Sequence, residues 1–87
     1  MTGEAGKGGK MQLTITLTES DGKSRDIIVN SGQRIRETLG ILEEAGILKN
    51  VAGVRMVQSR RNGEYISLDN SYEDSGIFYG DIVILVR

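Results

Sequence analysis

The sequence contains no cysteine and no histidine. The first absence excludes disulfides, thiolate metal sites and thiol nucleophiles. The second removes the commonest general base at neutral pH and the commonest neutral metal ligand. Aromatic residues are scarce: three tyrosines and one phenylalanine. No stretch reaches the ~18–20 apolar residues of a membrane span, and the N-terminus has no apolar signal core. Charge of one sign is lacking too. With 11 basic and 12 acidic residues the net charge is −1, which gives no electrostatic grip on nucleic acid or anionic lipid. These 87 residues fit one domain with a modest core, expected to be soluble and cytoplasmic, without cofactor or metal.

Residues 1–10, "MTGEAGKGGK", hold four glycines and no large apolar residue after Met1, so they read as a disordered tail ahead of a domain over 11–87. "MQLTITLT" (11–18) alternates strictly, with Leu13, Ile15 and Leu17 on one face of a half-buried strand. "DIIVN" (26–30) is its hairpin partner across "ESDGK". A three-residue loop of Ser20, Asp21 and Gly22 sets Ile15 against Ile27 and Leu13 against Val29. It keeps all four on one face and puts Gly22 at the left-handed position. A two-residue loop would set Leu17 against Asp26.

Next, Ile35, Thr38, Leu39, Leu42 and Ala45 form one helical stripe, with Ser31 as the expected cap and Gly46 as the stop. A third strand is expected over 53–59, with Val54 and Met56 inward and Arg55 and Val57 outward. A turn at 60–63 and a fourth strand over 64–68 follow. Residues 69–76 are polar, with room for one helical turn around 71–75. The last strand, "IVILVR" (82–87), follows too long a connection for local pairing. A parallel place beside the first strand would put it mid-sheet and explain its unbroken apolar run. The element order predicts an α+β fold: a mixed sheet of four to five strands with one main helix across one face.

"MQL" at the first strand, Gly22-Lys23 after the turn, "IIV" before the helix and "SYEDSGI" before the last strand together resemble ubiquitin and its relatives, over about residues 11–87. The resemblance implies a β-grasp fold. That family's conjugating members end in an extended Gly-Gly tail, and this sequence stops at Arg87, about where such a tail would start, so a non-conjugating form is expected. The alternative is a modifier or sulfur carrier whose Gly-Gly tail lies outside the given sequence. Among non-conjugating forms, the "GI-x-x-GD-x-x-x-L" ending, "GIFYGDIVILV", is similar to the YukD/EsaB group. Those are small bacterial cytosolic proteins associated with type VII (WXG100/ESX) secretion. The resemblance implies an accessory or regulatory role through protein contacts at the secretion apparatus.

Many ubiquitin-like modules bind partners on the sheet face opposite the helix. Carried over by position, that face would present Arg55, Val57, Ile82, Ile84 and Val86 to a protein partner or a second copy of the chain. The family's leucine at the first hairpin tip is replaced by Ser20, so binders of that leucine are not expected. The bland reading of the same residues is β-formers shaded by their neighbours. Arg55, Arg60 and Arg61 lack an interleaved aromatic in sequence and read as a solvated turn. The Glu43-Glu44 and Glu73-Asp74 pairs read as surface charge, because adjacent carboxylates on a helix diverge. Asp81 is expected to cap the turn before it. Tyr72 and Ile77 are expected in the core beside Leu68, with one of Phe78 and Tyr79 exposed. No residue is assigned a catalytic role.

Overall fold

The computed structural model describes residues 11–19 and 21–87; the expected tail at 1–10 and the loop residue Ser20 lie outside the described residues. Strands β1 (Gln12–Thr18) and β2 (Ser24–Asn30) form the first hairpin. Helix α1 (Ile35–Glu44) follows, then a 3₁₀ turn at Val51–Gly53, then β3 (Met56–Ser59), β4 (Tyr65–Ser67) and β5 (Ile82–Val86). The sheet order is β2-β1-β5-β3-β4. β5 lies parallel to β1 and antiparallel to β3, in the middle as its apolar run requires.

The first hairpin has the register of a three-residue connection, with Leu13 opposite Val29 and Ile15 opposite Ile27. Gly22 takes φ +92°, a region that side chains other than glycine's rarely adopt. Inward-facing Leu13, Ile15, Leu17, Val29, Val83 and Leu85 meet Ile35, Leu39 and Leu42 of the helix. Tyr72, Ile77 and Leu68 join the core together, as the sequence implies, alongside Leu48, Val54, Val57 and Ile66. Each such side chain, fully buried, contributes roughly 1.5–3 kcal/mol.

The start of α1 is held differently from the expected cap. Ser31 is buried, and its hydroxyl accepts the Met11 N–H at 2.9 Å. The opening helical donors are met by main chain from the other end of the domain: Ile35 N–H reaches Asn70 O at 3.0 Å and Arg36 N–H reaches Leu68 O at 2.9 Å. Glu37 takes the Arg34 N–H at 3.3 Å. Gly46 does stop the helix. At φ +78° its N–H bonds Glu43 O while the Ile47 N–H bonds Leu42 O, a Schellman closure. Ala45, expected on the buried stripe, is exposed because the helix has already ended. Residues 71–75 make one turn, closed by Ser75 N–H to Ser71 O at 3.1 Å.

Candidate interaction surface

Strand pairing dictates which side chains share the face opposite α1. Met56 stands opposite Val86 on one side and Ser67 on the other; Gln58 stands between Ile84 and Tyr65. Ile82 and Ile84 continue the rows to Thr16 and Thr18 of β1. The result is an apolar strip along β5, widened by Met56 and by Tyr65, which is 63 % exposed. Ile82, Ile84, Val86 and Met56 are half-buried. The threonine ridge beside the strip is tied down: Thr16 Oγ1 donates to Asp26 at 2.7 Å, and the Thr18 and Ser24 hydroxyls bond at 2.9 Å.

Of the five residues expected here, Ile82, Ile84 and Val86 lie on this face, and exposed Arg55 borders it. Val57 does not. It pairs with Leu85 on the core side and is 0 % exposed. The 3₁₀ turn delivers the chain to β3 so that Val54 and Val57, three apart, both point inward, and the strand alternation begins only at Met56. Gln58 carried the missed signal. An inward Met56 would have drawn Gln58 into the core two residues later. Met56 and Tyr65 are thus members of the surface that the sequence reading omitted.

Both ends of the strip are basic. Arg55 lines a groove of about 300 Å³ with Met56, Tyr65 and Ser67. At the other end Arg60, Arg61, Tyr79 and Ile82 line one of about 270 Å³. Arg61 sits 5.0 Å from the centre of the Phe78 ring, within cation–π range. Phe78 and Tyr79 are both exposed, and Gly80 takes a positive φ (+85°) just before the chain enters β5.

Asp81 anchors that end. Its carboxylate is buried and accepts the Ser59 hydroxyl at 2.6 Å, the Ile82 N–H at 2.7 Å and the Arg61 N–H at 3.2 Å. The turn before it is closed by the Asp81 N–H to Phe78 O instead. The side chain therefore caps the β3–β4 turn, not the preceding turn that sequence spacing pointed to.

A groove of about 550 Å³ lies elsewhere, between the first hairpin and residues 47–53. Arg87 spans it, donating to Asn50 O at 2.6 Å and Lys49 O at 3.2 Å, with Glu19 3.9 Å away. Four basic side chains, Lys23, Arg25, Lys49 and Arg87, outnumber the carboxylates Glu19 and Asp21 around it, and nothing there resembles a reacting pair. Among the described residues no group of three or more carboxylates is placed to hold a metal ion, and no helix is long and apolar enough to cross a membrane.

No protein-family profile matches the chain, and no curated protein matches it in sequence. Solved structures do match in shape. A de novo design based on ubiquitin superposes with a TM-score of 0.69 at 20% identity, over 86% of this chain and 87% of that one. Ubiquitin from Caldiarchaeum subterraneum gives 0.67 at 13% identity, over 88% and 94%. The UBL domain of Plasmodium falciparum Dsk2 gives 0.63 at 10%, over 87% and 100%. At such identities the likeness speaks for architecture alone, and it agrees with the strand order, register and helix placement: the fold is a ubiquitin-like β-grasp.

Proposed function

We propose that this chain is a non-catalytic, cytoplasmic protein-interaction module that engages its partner through the outer face of β5 and β3. One observation carries the reading. The central strand leaves Ile82, Ile84 and Val86 only half-covered, and Met56, exposed Tyr65 and the arginines at both ends extend that strip into a bordered patch. The lack of histidine and cysteine favours binding over chemistry. The "GIFYGDIVILV" ending supports the setting of the YukD/EsaB group, an accessory component of bacterial type VII secretion.

The test is a titration of isotopically labelled protein with the soluble domains of a type VII secretion ATPase and with WXG100 proteins, followed by amide shifts. Shifts should concentrate at Met56, Tyr65, Ile82, Ile84 and Val86. Ile84→Asp and Tyr65→Ala should abolish them while the spectrum stays dispersed. Unfolding of both variants, or shifts centred elsewhere, would sink the surface. Binding of unrelated proteins at this same face would keep the surface and remove the secretion setting. A Gly-Gly encoded beyond Arg87 would shift the reading to a modifier or sulfur carrier.

A further inference from the structure

The outer strip has a counterpart on the opposite side of the same molecule. On α1, Glu37, Ile41 and Glu44 stand four and three residues apart and share one face. Ile41 is 56 % exposed. It opens onto a groove of about 540 Å³ lined by Gln33, Glu37, Gly40, Glu43 and Glu44, where Gly40 leaves open space in place of a side chain. Two carboxylates occupy the last helical turn and no basic residue does, the reverse of what the helix dipole favours. Among the described residues neither Glu43 nor Glu44 has an ion-pair partner, and neither do Arg55 and Arg60. Of the nearby cations, Arg36 is engaged by Asp69 at 2.8 Å, and Arg34 lies at the far end of the helix.

We infer that the helix face of one copy docks on the sheet face of the next, in a head-to-tail self-association. This rests on the reading of the outer face as a binding surface. The charges complement: Arg55, Arg60 and Arg61, against the single carboxylate Glu64 on that hairpin, face Glu37 and Glu44. The apolar centres complement as well, with Ile41 meeting Ile84 and Met56. The lengths agree. The ten residues of α1 span ~15 Å, and Ile82 to Val86 span ~13 Å. The two surfaces lie on opposite sides of the domain, so the contact is heterologous and leaves a free face at each end.

Sedimentation of wild-type protein tests this, alone and against two charge reversals, Arg55→Glu on the sheet face and Glu44→Arg on the helix face. Wild type should gain at least about twofold in weight-average mass with rising concentration at about 0.01 M salt, and lose the gain near 1 M, where the Debye length falls to about 3 Å. Each variant alone should stay monomeric. Mixed, they should associate again, because each retains the face the other has lost and the two reversed charges complement each other. Circular dichroism of both variants confirms folding. Wild type that stays monomeric throughout overturns the inference while leaving the outer face free for another partner. A Glu44→Arg variant that still self-associates points to sheet-to-sheet pairing and overturns it too. If the shift titration above maps partner binding away from the outer face, the founding reading fails instead.

Discussion

Asp81 gathers three donors in a site almost closed to water, and one of them, the Ser59 hydroxyl, belongs to a residue that is 0 % exposed. Removing the carboxylate strands those donors, at roughly 1–3 kcal/mol for a buried group left unsatisfied. Asp81→Ala should therefore lose about 3 kcal/mol in urea denaturation, with Ser59→Ala losing less. If the two losses simply add in the double variant, the pair is not coupled. Tyr72 offers a pH test. Its side chain is 1 % exposed, and burial pushes the hydroxyl from 10.0 up to about 12, with the Thr38 hydroxyl opposing that shift weakly. Thr38 Oγ1 itself makes no hydrogen bond within 3.5 Å, so burial dominates. Between pH 10 and 12 the unfolded chain has released this proton and the folded chain still holds it. Stability thus stays whole below pH 10 and falls as pH rises, by about 1.4 kcal/mol per pH unit from this group. Tyr72→Phe should flatten that decline in denaturation curves taken across the range.

At the scale of elements, Gly40 within α1 and Gly46 just past its end should respond in opposite directions. A Cβ at Gly40 meets nothing within 4 Å, and its backbone is helical, so Gly40→Ala should gain about 0.5–1 kcal/mol. For a domain of this size that corresponds to roughly 2–8 °C in melting temperature. Gly46 also has room, but its φ of +78° closes the Schellman motif, so Gly46→Ala should lose about 1–2 kcal/mol. Equal shifts of one sign would mean that space, not backbone conformation, governs both sites. In β3, Val57→Ala should lose about 1.5–3 kcal/mol and Met56→Ala under about 1 kcal/mol, since only Val57 is enclosed.

For the whole molecule, stability hinges on β5. It joins the β1–β2 hairpin to the β3–β4 hairpin and pairs Thr16 with Ile82 across most of the chain. Such a non-local pairing slows folding and makes the two hairpins mutually dependent. Amides of β1 and β5 should exchange with solvent only through global unfolding, while those of the short edge strand β4 exchange about 100-fold faster or more. Uniform protection across all five strands would contradict this ranking.

Features set by loop length, backbone conformation and apolar patterning were legible in the residues alone. Hairpin register follows from loop length and alternation, the helix stop from a left-handed glycine, and the central place of β5 from an apolar run that only a strand flanked on both sides can bury. Tertiary structure decided what depends on approach angle. The 3₁₀ turn reset the phase of β3 and exchanged Val57 for Met56 on the outer face. Main chain from residues 68–70 met the donors of α1 that Ser31 was expected to cap. Asp81 reached across to Ser59 and Arg61, residues remote in sequence. Alternation predicts which residues share a face, but only pairing with a neighbouring strand fixes which face turns inward.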